Sequence, residues 1–262
     1  MRSALLSTEA LLKKGLDELS LEYTSAQLRA FLTYLAELKK WNKAYNLTAL
    51  KTDEEIVTKH FLDSLLYLKA MPEGRISVMD VGSGAGFPGI PIKIMRSEVG
   101  MHLLEPSRKK AGFLRHNIRV LELNGIEVWE NRIEEAGSLI VDVAVTRALF
   151  GIREFAVKAL PHVREGGRLI LSKGPRVKEE LGTIKDTHHE VLALTLPGTD
   201  MKRFIVIIHK PARGRNAPAG PRSGEAGQGM LKSGSVCVNA ECRLRKAGCT
   251  GFEGCPGFKA RT

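Results

Sequence analysis

A chain of 262 residues with 43% apolar and 26% charged residues has the composition of a globular protein large enough to bury a substantial core. No apolar run approaches the roughly 18 residues needed to cross a bilayer. The net charge of +11 points to an anionic partner, but ten of the 40 Lys/Arg and only three of the 29 acidic residues fall from Lys210 onward, so the body is mildly basic. All four cysteines lie in the last 26 residues and the N-terminal stretch MRSALLSTEALLKKGLDELS lacks an unbroken apolar segment, so a disulfide-free, cytoplasmic protein is expected.

Residues 1–72 read as a helical extension. In TSAQLRAFLTYLAELKKWNKAYN the apolar positions Leu28, Phe31, Leu32, Leu35, Leu38 and Trp41 recur at helical spacing, which marks Trp41 as core rather than a stacking platform. Thr52 followed by Glu55 forms a capping box for DEEIVTKHFLDSLLYLKAM, and Met71-Pro72-Glu73-Gly74 ends that helix. His60 and Asp63, three residues apart on it, are expected to pair beside a substrate mouth, with a purely structural histidine as the alternative.

From Arg75 short apolar runs alternate with helical patterns: ISVMDV, MHLLE, GIEVWE, LIVDVAVT, RLILSK and RFIVIIH, with SRKKAGFLRHNIRVLELN and GIREFAVKALPHVREG as crossover helices. This is the pattern of an α/β fold, a mostly parallel sheet covered by helices on both faces. HHEVLALTL and RFIVIIHK, joined only by PGTDMK, suit a closing antiparallel pair. Residues 211–235 are too rich in Gly and Pro for a core and read as a linker to a basic four-cysteine tail, 236–262.

The glycine-rich DVGSGAGFPG after the first strand carries the chemistry. No Lys-Ser/Thr follows, which excludes a phosphate-gripping P-loop. The sixth position of a dinucleotide fingerprint holds Phe87 in place of glycine, which disfavours a nicotinamide enzyme. Asp80 with Gly82, Gly84 and Gly86 suits a cofactor without a pyrophosphate, such as S-adenosylmethionine. Glu105, at the end of the next strand, is placed to accept from ribose hydroxyls, and the loop at Arg132–Glu135 to hold adenine. The alternative is a turn whose glycines only permit tight strand–helix packing.

Several segments together resemble one family: KWNKAYNLT (Lys40–Thr48), KHFLDSL (Lys59–Leu65), DVGSGAGFPGIPIKI (Asp80–Ile94), EPSRKKAGFLR (Glu105–Arg115) and VTRAL (Val145–Leu149). Over about residues 20–209 they are similar to the glucose-inhibited division protein B family, guanine-N7 methyltransferases of small-subunit rRNA. The resemblance implies a Rossmann-like class I methyltransferase over 73–210 that moves a methyl group from S-adenosylmethionine to N7 of one guanine of 16S rRNA, in a loop near the decoding centre. It implies cofactor contacts at Gly82, Phe87, Ile133 and Glu134, and a cofactor- and substrate-side role for Arg147. Thr146 stands where the family often has Ser, and the tail has no counterpart in the family pattern.

Guanine N7 offers a lone pair at neutral pH, so no general base is expected, and Arg147 is expected to position either the cofactor carboxylate or an RNA phosphate, with a structural ion pair as the alternative. RNA phosphates are expected at Arg108, Lys109, Lys110, Arg115 and Lys173, the alternative being solvated helix faces. The expected partner is 16S rRNA or a small-subunit precursor, with no membrane and a monomeric state. Rival readings are a methyltransferase of another RNA or of a protein, and a ribosome-assembly protein without catalysis. No metal is expected in the body. Cys237, Cys242, Cys249 and Cys255 could hold zinc or an iron–sulfur cluster, although only the first spacing is short enough for a zinc ribbon.

Overall fold

The structure, a computed structural model, describes residues 2–184, 187–212, 235–237 and 258–260. It divides into two units, Met1–Arg215 and Asn216–Thr262. In the second, β8 (Ser235–Cys237) pairs antiparallel with β9 (Phe258–Ala260). Cys242, Cys249 and Cys255 and most of the Gly/Pro-rich stretch lie outside the described residues.

The first unit opens with α1 (Arg2–Glu18) and α2 (Ser25–Tyr45). Thr24 caps α2 by accepting from Gln27 N–H at 3.2 Å, while Gln27 Oε1 accepts from Thr24 N–H at 2.8 Å. The apolar stripe of α2 faces the core through Leu28, Phe31, Leu35 and Leu38, with Tyr34 buried beside them and Leu32 only partly covered. Trp41 packs on Phe113 with ring centroids 5.5 Å apart.

The expected Thr52–Glu55 box is present, and it starts α3 (Asp53–Ile56). The helix then departs from a regular α-helix, through a π-helical stretch Val57–Leu62 and α4 (Asp63–Leu65) to a 3₁₀ turn at Leu66–Lys69. A π-helical turn inside a helix changes the angular phase of the side chains that follow and often marks a functional site.

The sheet has seven strands: β1 (Ser77–Val81), β2 (Gly100–Leu104), β3 (Ile126–Trp129), β4 (Val141–Arg147), β5 (Val163–Lys173), β6 (His189–Thr195) and β7 (Lys202–His209). Their order is β3-β2-β1-β4-β5-β7-β6. The first five are parallel, and β7 and β6 close the sheet antiparallel, as the short PGTDMK link requires. Successive residues serve opposite faces: Val143 and Val145 of β4 enter the core beneath α1 and α2, while Ala144 joins Phe155, Ile152 and Leu169 in the second core.

Four helices complete the unit: α5 (Gly89–Met95), α6 (Arg108–Val120), α7 (Ile152–Ala159) and α8 (Val177–Leu181). The expected helix over 151–166 stops early, because Pro161 sits in the 3₁₀ turn Leu160–His162 and β5 already begins at Val163. Neither α5 nor α8 is long enough to show a periodic signal in sequence. The strand order reverses between β1 and β4, and in open sheets of this kind the crevice beyond the strands' carboxyl ends at such a point takes the ligand. Tyr67 ties the helical extension to that edge, donating to Thr146 O at 2.6 Å and accepting from Ser172 N–H at 3.0 Å.

Candidate cofactor and substrate crevice

Beyond β1 the chain turns sharply through Gly82–Phe87 into α5. Gly82 and Ser83 donate their N–H groups to Leu104 O of β2, at 2.9 and 3.0 Å, and Ser83 O accepts from the N–H groups of Gly86 and Phe87. Gly82 (φ +75°) and Gly84 (φ +59°) occupy backbone regions that L side chains rarely adopt. A Cβ on Gly82 would lie 2.2 Å from Leu149 Cδ2, whereas one on Gly84 would meet nothing closer than 3.9 Å. Gly84 therefore offers bare backbone to open space. Gly86 instead packs under Ile90 and Tyr34, and Tyr34 Oη donates to Ala85 O.

Two carboxylates hold the loop from behind. Asp80 is fully buried, and its Oδ2 accepts from Gly89 N–H at 2.9 Å at the start of α5, while Oδ1 has no partner. Burial pushes its carboxyl up to about 7, against the pull of the Gly89 and Ser83 hydrogen bonds. Glu105, just past β2, accepts from Gly84 N–H through Oε2 and from Ser107 N–H through Oε1, both at 2.9 Å.

On the other side of the switch point, Arg147 ends β4. Its guanidinium donates to Lys59 O at 3.0 Å, to Asp63 Oδ2 at 3.4 Å and to His60 Nδ1 at 2.9 Å, and lies 5.1 Å from the Phe87 ring centroid. His60 stacks on Phe87 at 4.4 Å and 17°, and its Nε2 is 2.8 Å from Thr48 Oγ1. Burial and the Arg147 charge hold the His60 imidazole down to about 3, so it is neutral. The other oxygen of Asp63 accepts from Arg203 Nε at 2.7 Å. The buried carboxylate thus bridges β4 and β7, and the chain Thr48–His60–Arg147–Asp63–Arg203 is continuous.

These elements enclose two cavities that share Gly82. The larger, about 610 Å³, is lined by Gly84, Phe87, His60, Asp63, Arg147, Lys173 and Arg203 among others. The smaller, about 300 Å³, is lined by Val81, Leu104, Asn131, Ile133, Glu134 and Leu149. Asn131 lines the smaller one, and its Oδ1, buried behind the cavity surface, has no hydrogen-bond partner among the described residues. The larger is walled by Lys59, Arg147, Lys173 and Arg203 with Asp63 among them, whereas the smaller has an apolar part formed by Val81, Leu104, Ile133 and Leu149.

The sequence model of rRNA small subunit methyltransferase G matches residues 27–199, which include the whole lining of the smaller cavity and that of the larger except Arg203. The chain belongs to this family. Members of the methyltransferase G family similar to it include that of Geotalea uraniireducens (strain Rf4), 41% identical over 79% of this chain and 98% of the relative, and that of Geobacter sp. (strain M21), 39% identical over 77% and 97%. The protein of Clostridium botulinum (strain Loch Maree / Type A3) is 36% identical over 76% of this chain and 89% of the relative. Among solved structures, a methyltransferase from Pyrococcus furiosus shares the fold at a TM-score of 0.50 and 18% identity, covering 72% of this chain and all of that one.

Against this family frame the expected site residues fall into three groups. Gly82, Gly84, Phe87, Arg147, His60, Asp63 and Lys173 meet at the larger cavity, and Ile133 and Glu134 line the smaller one. Asp80, Gly86 and Glu105 stand behind the loop and line neither. Arg108, Lys109, Lys110 and Arg115 sit on α6, line neither cavity, and Arg115 is paired with Glu130 at 2.8 Å. His60 and Asp63 face the same cavity, as their spacing implies, but they bind Arg147 rather than each other, because β4 brings its guanidinium to both. The ion-pair alternative for Arg147 is realised with Asp63, on a guanidinium that also lines the cavity.

Thr48, Tyr34, Asn131, Leu149 and Arg203 were not singled out from the sequence. Arg203 opens a strand run, RFIVIIH, whose apolar remainder masked it. Leu149 closes the quoted VTRAL motif, the one local signal available for it.

Proposed function

We propose that the chain transfers the methyl group of S-adenosylmethionine to N7 of a guanine in 16S rRNA, within a loop near the decoding centre. In this reading residues 1–72 form a helical extension and 73–210 the methyltransferase domain, acting in the cytoplasm. No helix among the described residues is long and apolar enough to cross a membrane. The observation that carries the reading is the pair of adjacent cavities that share Gly82 on the topological switch point, one lined by Ile133, Leu149 and Asn131, the other cationic.

The residues present fit the cofactor. A turn of the Asn131 amide would bring its unpartnered Oδ1 to an exocyclic amino group, Ile133 and Leu149 provide apolar faces, and the bare backbone at Gly84 leaves room for a close approach. Ile133, Glu134 and Asn131 would hold the adenine, while Gly82, Gly84 and Phe87 would flank the amino-acid end. Glu105, behind the loop, would set its shape through Gly84, and would reach the ribose only by releasing that N–H. When bound, the cofactor supplies a methyl carbon already activated by a positive sulfonium.

The protein's task is then to position rather than to move protons. Guanine N7 carries no proton to remove, and the one histidine at the cavity is neutral and already engaged at both nitrogens. Holding nucleophile and methyl group in line is worth up to about 7–11 kcal/mol. The transfer shifts one positive charge from sulfur to the purine without creating another, so a cavity walled by Arg147, Arg203 and Lys173 is compatible with the product. The cations serve the RNA phosphates, and the Phe87–His60 stack offers an aromatic wall for an unstacked base.

Isothermal titration with S-adenosylmethionine and with NAD, joined to mapping of N7-methylguanine in 16S rRNA from a deletion strain with and without the restored gene, tests the reading. Binding of the first ligand only, with one gene-dependent methylguanine, is expected. An unchanged methylation map would overturn it. Zinc or an iron–sulfur cluster on Cys237, Cys242, Cys249 and Cys255 is a separate proposal, for which metal analysis of the reduced protein is the test.

A further inference from the structure

A base cannot enter the larger cavity without its neighbours. The phosphodiester chain on either side of the target nucleotide must run out along the protein surface, and the structure offers a route. A second groove of about 220 Å³ lies beside the cavity, lined by Lys39, Asn42, Lys43 and Lys51, and shares Thr48 and Leu50 with it. We infer that this groove, between the C-terminal half of α2 and the loop 47–51, is a track for the single-stranded RNA segment flanking the modified guanosine, with Lys43 and Lys51 as its phosphate contacts. The inference rests on the proposed RNA methylation and names where the strand goes.

Three observations support the assignment. The groove is preformed: Asn42 Nδ2 donates to Thr48 O at 3.0 Å, its Oδ1 accepts from Thr48 N–H at 2.9 Å, and Leu50 N–H donates to Thr48 Oγ1 at 3.1 Å, so the loop is stapled to α2. The same Thr48 hydroxyl meets His60, whose ring stacks on Phe87, so the groove wall and the cavity wall are one structure.

The third observation is charge. Lys39 is held by Asp53, Lys59 by Glu55, Lys173 by Glu180, and Arg147 and Arg203 by Asp63. Lys43 and Lys51 are exposed and in no ion pair among the described residues. They are cations free to displace the counterions of a polyanion. Tyr45, 44% exposed and tilted against Trp41 with ring centroids 5.3 Å apart in the last turn of α2, adds an aromatic face at the same end of the helix. By contrast the basic turn Arg108–Lys110 borders neither cavity nor groove.

The test uses the full chain and the double variant Lys43→Glu/Lys51→Glu, with Lys43→Gln/Lys51→Gln as its neutral counterpart. A short fluorescent oligouridylate is titrated at several salt concentrations, and small ribosomal subunits from cells lacking the enzyme serve as methyl acceptor. Unchanged S-adenosylmethionine affinity reports that the variants are folded. RNA affinity is expected to fall about tenfold or more in the charge reversal, and the slope of log K against log salt to shrink by about 1.4 in the neutral variant, two contacts at roughly 0.7 each. KM for the subunits should rise while kcat holds. RNA affinity and salt slope equal to wild type would overturn the track. If the wild-type chain binds the oligonucleotide with the larger slope yet leaves the subunits unmethylated, the guanine-N7 reading fails and the track stands.

Discussion

Arg147 donates to His60 Nδ1 at 2.9 Å, and because a guanidinium has no lone pair to offer, this contact fixes the histidine tautomer. Nδ1 must be the bare nitrogen, so the proton sits on Nε2 and points to Thr48 Oγ1. One side chain from the end of β4 thereby orients a ring on the helical extension, and that ring stacks on Phe87 of the glycine loop.

Arg147→Ala removes the donor for His60 and Lys59 O and leaves the buried Asp63 with Arg203 alone. The expected cost is about 1–3 kcal/mol of stability, because water entering the open cavity takes over part of the three lost charge-assisted bonds while the carboxylate stays under-satisfied, together with a methylation rate reduced by two orders of magnitude or more. Arg147→Lys is the sharper probe. It retains the charge near Asp63 but lacks the planar fork, so the melting temperature should largely recover while turnover stays low. Normal methylation by Arg147→Ala would remove this residue from the site.

The pH dependence of stability contains two opposed contributions. Asp80, raised from 3.8 to about 7 by burial, favours the folded state while protonated; that stability is complete below about 4 and is lost as pH rises through 7. His60, held down from 6.5 to about 3 by burial and Arg147, favours the folded state while neutral; that stability is complete above about 6.5 and is lost as pH falls towards 3. Between pH 4 and 6.5 the two slopes oppose each other. Asp80→Asn should leave unfolding free energy climbing more steeply with pH across that window, and His60→Gln should turn the slope downward. Urea titrations at half-unit pH steps measure both, and parallel profiles for the two variants would contradict the assignment.

The smaller cavity makes its own prediction through Asn131 Oδ1, a buried acceptor with no partner while its Nδ2 donates to Glu135 O at 3.2 Å. An adenine amino group would satisfy it once the amide turns to the cavity. Asn131→Ala should weaken S-adenosylmethionine binding by about 0.5–1.5 kcal/mol. The variant should also lose discrimination against S-inosylmethionine, which has a carbonyl where adenine has the amino group. Calorimetry with both ligands decides: an unaltered ratio of affinities means that Asn131 does not read the base.

Local chemistry was legible in the sequence and long-range chemistry was not. The glycine turn, the Thr52 cap and the closing antiparallel pair depend on residues a few positions apart, where spacing dictates geometry. Asp63, Arg147 and Arg203 come from a helix and two strands, and no periodicity joins positions 84 and 140 apart. Tyr34 and Tyr67 lie on helices recognisable as apolar, but their hydroxyls are spent on the backbone of Ala85, Thr146 and Ser172, contacts that exist only once the extension docks on the sheet. His60 and Asp63 looked like partners because i and i+3 share a helix face; they do face one cavity, but a guanidinium that β4 brings there engages both.

Leu149 lines the smaller cavity and lies over Gly82, the residue that both cavities share. It is 55% exposed, its Cδ2 covers Gly82, and it follows Ala148, a non-glycine residue at φ +59°. An elongated ligand reaching from the Asn131 side to the Arg147 side must pass that shared residue. Gly82→Ala costs about 1–2 kcal/mol for an L residue in the left-handed region, and its Cβ, 2.2 Å from Leu149 Cδ2, would push that exposed side chain into the space beside the loop. S-adenosylmethionine affinity should therefore fall by tenfold or more in that variant. Leu149→Ala alone removes a partly exposed apolar contact and should cost no more than about 1 kcal/mol of binding. Adding Leu149→Ala to Gly82→Ala removes the clash and leaves only the backbone penalty, so the double variant should bind more tightly than Gly82→Ala. That reversal in a double-mutant cycle requires direct contact between the two positions. Strictly additive affinities would place Leu149 elsewhere than over Gly82.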